Sequence, residues 1–380
     1  MKNVLKFTAA TGAAVTAAAL FPAVANASTA HHGSPAGHTG VVFAQTDGLT
    51  GNQVVAFDRE ADGILSQAGT YATGGLGGQL DGSAVDHTAS QGAVAYDAAA
   101  NLLYTVNAGS NTITVFAVDG DRLTRLQVIG SRGEFPVSIT THGGLVYVLN
   151  ARAGGSISGY LRVGHTLVAI PSWHRDLGFN PNPSPEFTST PAQISFSPDG
   201  SKLVVSTKGD GSGFSTYGVG VLGPSLKPTV TTVAGAVPFG FGFDQYGHLV
   251  SSEAGTNAVA SFALGRHGTA TALDTALTGQ AGTCWAVVVG DKVYVSNAGS
   301  GSLSGYQIGA DGSLTALGNT TADAGTVDAT ASADGKFLYV ENGKNGVIDT
   351  FSIAGSGALT KLGTTTLPDG IGAEGIVVTR

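Results

Sequence analysis

An aromatic residue recurs seven times along this chain, each time at the end of an apolar-x-x-Phe/Tyr unit. The seven positions are Phe57, Phe116, Tyr160, Tyr217, Phe262, Tyr306 and Phe351. The steps between them are 59, 44, 57, 45, 44 and 45 residues. Four short antiparallel strands fill about 40 to 50 residues, so this interval predicts the seven blades of a β-propeller. Because each aromatic has an apolar partner at one register, we expect all seven to pack between blades rather than to form a binding surface.

The composition supports an all-β chain of short strands and tight turns. Charged residues make up 12% of the chain, roughly half the usual share of about 25%, and 58 of the 380 residues are glycine. No stretch has the apolar period of an amphipathic helix. Segments such as Ser197-Pro198-Asp199-Gly200 have the composition of hairpin turns. The predicted fold is therefore all-β, with four-stranded antiparallel blades.

The two ends of the propeller differ from its internal repeats. The first unit begins directly with a second strand, Val41 to Ala44, and has no inner strand before it. A further strand, Glu374 to Val378, follows the complete seventh unit. We predict that the C-terminal strand completes the first blade, which closes the ring and leaves no exposed sheet edge there. The predicted propeller domain is residues 41–380.

The first 40 residues have the pattern of an exported protein. Residues 1–27 combine two lysines, an apolar run and the small-x-small site Ala25-Asn26-Ala27, which together predict a secretory signal peptide. Residues 28–40 contain three histidines among small residues and predict a disordered start of the mature chain, with weak metal binding as the alternative. The expected location is secreted or extracellular, and no transmembrane span is predicted.

Charge and cysteine content limit the partners that this chain can have. Without the two lysines of the signal peptide, 16 basic residues oppose 26 acidic ones, a net charge of −10. Such a chain lacks the basic surface that nucleic acids and anionic membranes attract, so neither is an expected partner. Cys284 is the only cysteine, which excludes an intrachain disulfide. We expect it to be a buried structural thiol rather than a nucleophile, and we expect the protein to be a monomer.

Two of the steps between the aromatics are longer than the others because of insertions. Residues 71–90 are rich in glycine, and residues 171–190 are rich in proline. Both lie between the outer strand of one blade and the inner strand of the next, so they emerge on the same face as the turns that follow the second strands. Long loops on a rigid scaffold are often functional. We expect these two to rim the mouth of the central channel, with flexible decoration as the alternative.

Several motifs together resemble those of a known family. They are Ala192 to Gly200, Pro238 to Asp244, Ser252-Glu253-Ala254, Thr283-Cys284-Trp285 and the turn Asp311 to Thr315. In this order they are similar to the lactonase-type seven-bladed propellers, which include 6-phosphogluconolactonase and the carboxymuconate-lactonizing enzymes, and to their secreted actinobacterial branch. The resemblance covers about residues 41–380. It implies a cofactor-free site at the channel mouth, where basic residues hold an anionic substrate and a His or Glu moves a proton as a lactone ring opens or closes.

The chain departs from the catalytic members at the starts of its inner strands. Those members commonly have a histidine just after a proline there. The corresponding dipeptides in this chain are Pro136-Val137, Pro191-Ala192, Pro238-Phe239 and Cys284-Trp285. Either another residue moves the proton, or the propeller binds its ligand without catalysis.

Charged residues on the same face supply the candidates for a site. Glu253 is the candidate general base if burial raises its pKa, and His87 is the candidate proton carrier. The candidate substrate-binding residues, all in turns after second strands, are Lys208, Arg152, Glu341 and Lys344. Glu253 and Lys208 stand near a position that other units fill with Asn. They could bind a polar ligand together, or form a buried ion pair that only joins two blades.

These observations lead to two functional hypotheses. The first is a secreted lactonase-like propeller that opens a lactone of a sugar acid or a related small polar metabolite. The alternative is a non-catalytic extracellular propeller that binds a glycan, a peptide or a cell-envelope component. We expect no cofactor and no metal, because no zinc, EF-hand or metalloprotease motif occurs. Calcium held by scattered Asp and Asn oxygens is the alternative that the sequence leaves open.

Overall fold

The computed structural model describes residues 40–379, which form a single ring of seven blades. The predicted signal peptide and nearly all of the histidine-containing segment lie outside the described residues. Blades 1 to 3 contain β1 (Val41–Gln45), β2 (Gln53–Arg59), β3 (Leu65–Ala72); β4 (Val94–Asp97), β5 (Leu102–Asn107), β6 (Thr112–Asp119), β7 (Arg122–Gly130); and β8 (Pro136–His142), β9 (Leu145–Asn150), β10 (Ser156–Val163), β11 (Thr166–Ala169), β12 (Arg175–Asp176).

The remaining four blades follow the same order of strands. They contain β13 (Pro191–Phe196), β14 (Lys202–Thr207), β15 (Gly213–Gly220), β16 (Gly223–Pro224), β17 (Thr229–Thr232); β18 (Pro238–Phe243), β19 (His248–Glu253), β20 (Ala258–Leu264), β21 (Ala270–Leu277); β22 (Thr283–Val289), β23 (Lys292–Asn297), β24 (Ser302–Ile308), β25 (Leu314–Thr321); and β26 (Thr326–Ala331), β27 (Phe337–Asn342), β28 (Val347–Ile353), β29 (Leu359–Thr366). The last strand is β30 (Ile376–Val378), and short 3₁₀ helices span Ala108–Ser110, Pro171–Trp173 and Glu186–Thr188.

The C-terminal strand closes the ring, as the sequence predicts. In the first blade the strand order is β3-β2-β1-β30, so β30 is the inner strand. It pairs antiparallel with β1, with Val377 opposite Phe43. The Thr379 hydroxyl also accepts a 2.9 Å hydrogen bond from the Val41 N–H. The first and last segments of the propeller therefore share one blade, and the inner edge of that blade is covered.

The outer strands of blades 3 and 4 are interrupted, which refines the predicted four-stranded pattern. In blade 3, β11 and β12 pair with successive parts of β10. In blade 4, β16 and β17 do the same along β15. Part of the second insertion therefore completes the outer strand of blade 3.

The seven recurring aromatics lie in the third strand of each blade and are all buried, with no more than 3% of any of them exposed. Each packs against the preceding blade. Phe116 contacts the cluster of Phe43 and Val54 in blade 1, and Phe351 packs with Tyr294 of blade 6. Burying a ring of this size stabilises the fold by about 1.5–3 kcal/mol. The prediction that these rings form the core between blades is confirmed.

The inner strands begin with irregular pairing that turns side chains toward the channel. In five blades the register shifts near the first residues of the inner strand, at Val137, Ala192, Phe239, Cys284 and Val327. Bulges of this kind redirect side chains and are common beside sites. Four residues at these strand starts form one buried apolar cluster at the channel mouth, namely Ala192, Phe239, Trp285 and Val327.

Residues 40–379 contain no helix with the length and apolar character that crossing a bilayer requires.

Candidate functional site

The first insertion enters the mouth of the channel and spans it. The Gln91 side-chain amide donates a 2.7 Å hydrogen bond to the Ala286 carbonyl, and its oxygen accepts a 3.0 Å bond from the Ala286 N–H. The Trp285 indole N–H donates to the Ser90 carbonyl at 2.7 Å. A Cβ at position 240 would lie 2.9 Å from the Ala286 backbone nitrogen and would displace the Gln91 amide that bonds it, which explains the glycine there. These bonds fix the segment that precedes blade 2 against blade 6.

The second insertion is tied to the first by two direct hydrogen bonds and through Arg152 of blade 3, whose guanidinium pairs with Glu186 and donates to the Gln79 carbonyl at 3.2 Å. Glu186 accepts two hydrogen bonds of 2.8 Å from the Arg152 guanidinium, and one of 2.9 Å from the Asp81 N–H. The Phe187 N–H donates to the Asp81 carbonyl at 3.3 Å. Both insertions therefore lie over the channel mouth, as expected from the sequence, and together they form a cover.

Beneath this cover lies a cavity of about 310 Å³. The cover contributes Gly82 to Asp86, Ala89, Phe187 and Thr188. The floor and walls come from blades 4, 5 and 6 as Lys208, Val237, Phe239, Ala254, Gly282, Cys284, Trp285 and Ala298. The size lies at the small end of the usual range for ligand pockets, which is about 300–1,000 Å³. The lining is mostly apolar and contains one cationic side chain.

That cation, Lys208, is 1% exposed and projects from the end of blade 4. Its amine donates a 2.6 Å hydrogen bond to the Ala89 carbonyl in the cover, and it lies 5.2 Å from the centre of the Phe239 ring. Burial lowers the pKa of this amine to about 7, although Asp86 favours the charged form. A large fraction of Lys208 is therefore a free amine near neutral pH, which makes it a potential base or nucleophile.

Cys284 lines the same cavity but is not activated. Burial raises the pKa of its thiol to about 12, even though Lys208 favours the thiolate. The nucleophilic form of cysteine is the thiolate. Cys284 is thus a protonated thiol at neutral pH, and it is half-buried in the cavity wall rather than fully buried as expected.

Five carboxyl groups lie buried beside the cavity, between the cover and blades 1 and 7. They are Asp47, Asp86, Asp328, Glu341 and Glu374, each no more than 3% exposed. Burial is the main reason that the pKa of every one is raised, to about 6 for Asp86 and about 7 for Asp328. Mutual repulsion adds to the effect in Glu341 and Glu374. The protonated forms of these carboxyl groups are therefore favoured by their surroundings.

The members of this acidic cluster differ in their bonding. Asp86 accepts hydrogen bonds from the backbone N–H groups of Thr88, Ala89 and Ser90 at 2.8–2.9 Å, so it shapes the cover. Glu341, in contrast, has no hydrogen-bond partner at either oxygen. Among the described residues, no group of three or more His, Cys, Asp or Glu side chains is arranged to hold a metal ion.

Glu253 and Lys208 do not form the ion pair that the sequence allowed. Glu253 is the last residue of β19, as Asn107 and Asn297 are of their strands, but Lys208 follows the last residue of β14. A shift of one residue along a strand reverses the side that a side chain faces. Lys208 accordingly shares its position with Ala254 and Ala298, which line the cavity. The nearby acidic group that favours its charged form is Asp86.

Glu253 therefore has a local structural role at the end of its strand. Its side chain is 4% exposed and accepts a 3.2 Å hydrogen bond from the Thr256 hydroxyl. Asn107 and Asn297 bond the start of the following strand in a similar way, through Thr112 and Ser302. Burial raises the pKa of Glu253, as expected, but the residue is not part of the cavity lining.

The other candidates from the sequence are dispersed. His87 is half-buried against Gly372 outside the cavity lining, and burial lowers its pKa. Arg152 lines an adjoining, more open depression, which shares Gly82 to Ala84 with the cavity, and it is engaged by Glu186. Lys344 is exposed on a turn, and Glu341 belongs to the acidic cluster. Of the six candidate residues, only Lys208 lines the cavity.

Sequence reasoning missed the aromatic walls of the cavity. Phe239 and Trp285 meet edge to face with ring centres 5.0 Å apart, and Phe187 lies in the cover. The signal was present, because Phe239 and Trp285 belong to the dipeptides at the inner-strand starts. At these positions, where catalytic members commonly have a histidine, this chain has aromatic residues that form an apolar wall.

A family model described as lactonase, 7-bladed beta-propeller, matches residues 50–167 and 251–374. No curated protein matches the sequence. Among solved structures, a protein from Lactobacillus plantarum has a TM-score of 0.72 at 20% identity, covering 90% of this chain and 99% of its own.

Two further structural neighbours have descriptive names. A putative 6-phosphogluconolactonase from Bacteroides fragilis has a TM-score of 0.69 at 17% identity, covering 90% of this chain and 98% of its own. The Pseudomonas aeruginosa periplasmic gluconolactonase PpgL has a TM-score of 0.69 at 17% identity, covering 90% of this chain and 99% of its own. At these identities the likeness establishes the fold alone.

Proposed function

Because this chain belongs to the lactonase family of seven-bladed β-propellers, we propose that it is a lactonase whose active site is the cavity beneath the two insertions. The observation that carries the proposal is the position of Lys208. It is a buried amine with its pKa lowered to about 7, and it lines a partly covered cavity at the channel mouth. A base with a pKa close to the working pH is the most effective general base.

Lys208 performs the proton transfers in this proposal. Its free amine takes a proton from a water molecule as the water oxygen attacks the lactone carbonyl. The ring C–O bond then breaks, and the departing alkoxide takes a proton from the Lys208 ammonium. Lactone and water give one hydroxy acid, and Lys208 returns to the free amine. This assignment replaces Glu253 and His87, which lie outside the cavity lining.

The surroundings of Lys208 support this role. Burial favours its neutral form, while Asp86 stabilises the ammonium when it forms. Its hydrogen bond to the Ala89 carbonyl restrains the amine at the cavity wall. The cover shields one side of the cavity from solvent, which strengthens the electrostatic interactions beneath it.

The proposal also covers the substrate, export of the protein and its oligomeric state. The sequence favoured a lactone of a sugar acid, and two structural neighbours bear the names of gluconolactonases; ring opening of a lactone is the chemistry common to these. Export is supported by the N-terminal pattern and by the periplasmic neighbour. In this proposal the protein acts as a monomer.

The test is hydrolysis of a panel of lactones, followed as acid release, by the wild type and Lys208→Met. Met keeps much of the length of Lys without its amine. Lys202→Met, at the other end of β14, is the matched control. We expect turnover by the wild type and the control and a loss of at least about 100-fold in Lys208→Met. If no lactone of the panel is hydrolysed, the proposed lactonase activity is wrong. Saturable binding without turnover would instead support the non-catalytic alternative.

A further inference from the structure

We propose that the substrate is a neutral, apolar lactone with an alkyl or aryl substituent, and that phosphorylated and polyhydroxylated sugar lactones are poor substrates. This inference rests on the proposed lactonase function and names its substrate class. Three features of the cavity support it.

The first feature is the apolar lining. Phe239 and Trp285 are each 5% exposed and meet at an interplanar angle of 62°, which gives one wall an aromatic surface. Val237 and Ala298 extend that wall, and Phe187 faces the cavity from the cover. Each methylene group buried on such a surface contributes roughly a fourfold gain in binding. A sugar ring has few such groups to bury.

The second feature is the scarcity of free polar groups. Trp285 directs its indole N–H to the Ser90 carbonyl, away from a ligand. The Asp86 carboxylate is occupied by the backbone of the cover. Sugar hydroxyls that enter an apolar site without partners lose their hydrogen bonds to water, which opposes binding. The lining therefore discriminates against polyols.

The third feature is the charge around the cavity. Phosphate sites usually present arginine or several cationic donors. Here Lys208 is the one cation of the lining, and burial makes its charge easy to lose. Arg152 is paired with Glu186 outside the lining, whereas Asp86 lines the cavity and the other four carboxyl groups of the cluster lie beside it. A phosphate dianion would meet acidic groups without enough cations to offset them.

The experiment compares kcat/KM for three lactones of one ring size: δ-decalactone, δ-gluconolactone and 6-phosphogluconolactone. We expect δ-decalactone to exceed each of the others by at least about 100-fold. Ala254→Asp places a carboxylate in the lining and should lower kcat/KM for δ-decalactone by about tenfold or more. The matched control, Ala354→Asp, lies in an exposed turn between β28 and β29 and should leave kcat/KM unchanged.

The experiment distinguishes an error in the proposed lactonase activity from an error in the proposed substrate class. If δ-gluconolactone or 6-phosphogluconolactone is hydrolysed with a kcat/KM equal to that for δ-decalactone, the proposed apolar substrate class is wrong. The proposed lactonase activity is then still supported. Binding is read independently from Trp285 fluorescence in Trp173→Phe, which leaves one tryptophan. Decalactone that changes this fluorescence saturably, with no turnover and no response to gluconolactone, would support the apolar ligand class and contradict the lactonase. No response to decalactone would overturn the class.

Discussion

The Lys208 amine donates a 2.6 Å hydrogen bond to the carbonyl oxygen of Ala89, which joins the fourth blade to the first insertion. The two residues are 119 positions apart in the chain and face each other across one side of the cavity. This contact links the rigid scaffold to the cover at the one cationic group of the lining.

Replacement of Glu341 by Gln should stabilise the fold at neutral and alkaline pH. The folded-state pKa of Glu341 is raised well above its ordinary value by burial and by its acidic neighbours. The folded state therefore binds a proton more tightly than the unfolded state, and stability falls as the pH rises above the unfolded value. Gln removes this cost, which we expect to be roughly 1–3 kcal/mol at pH 8.

Chemical denaturation between pH 4 and pH 8 checks this prediction. The advantage of Glu341→Gln should vanish near pH 4, where the carboxyl group is protonated in both states, and grow with pH. Glu134→Gln, at an exposed position, is the control and should show little pH-dependent difference from the wild type. A Glu341→Gln protein that is less stable than the wild type at pH 8 would contradict the buried position of this group.

Arg152→Met should loosen the cover without unfolding the propeller. Met removes both bonds to Glu186 and the bond to the Gln79 carbonyl, and it keeps apolar contact with the Phe135 ring, which lies 4.2 Å from the guanidinium. Partly exposed ion pairs contribute about 0.2–1 kcal/mol, so global stability should change little. Hydrogen exchange should instead increase in residues 79–91 and 186–190.

Arg162→Met is the matched control for this experiment, since Arg162 lies on β10 and forms a 3.4 Å ion pair with Asp97 of blade 2, away from both insertions. Its exchange pattern at the cover should equal that of the wild type. Unchanged exchange in Arg152→Met would show that the ion pair does not hold the two insertions together.

Loss of the last ten residues should destabilise the whole ring. The deletion removes β30, including the buried Ile376, and exposes the inner edge of β1. We expect a fall in Tm on the order of 10 °C or more, measured by calorimetry. Ile371→Ala, at a 64% exposed position of the same segment, is the control. A truncated chain that melts like the wild type would contradict closure by β30.

The sequence predicted the architecture well because the repeat is set by packing between blades. Phe57 and Phe351 recur at one register since every blade must bury the same third-strand position against its neighbour. The first blade lacked an inner strand and the C-terminal strand had no blade of its own, so pairing these two satisfied both ends of the repeat. Interactions between neighbouring repeats are local, so they leave a periodic signal in the chain.

The site was less predictable because it depends on contacts across the ring. Gln91 bonds Ala286, 195 residues away, and no repeat marks this pairing. Lys208 and Glu253 differ by one residue in their position relative to the end of the second strand. The recurring aromatics alone could not predict this difference. It nevertheless decides that Lys208 enters the cavity and that Glu253 bonds Thr256.

The pH dependence of kcat/KM for the best lactone, compared between the wild type and Lys208→Met, tests the central claim most directly. The free amine is the active form and its pKa is about 7. The wild-type value should therefore rise about tenfold per pH unit below pH 7 and level off above it. Lys208→Met should lose both the inflection and at least about 100-fold in kcat/KM. A flat wild-type profile, or a Lys208→Met protein that keeps the same profile and rate, would contradict the assignment.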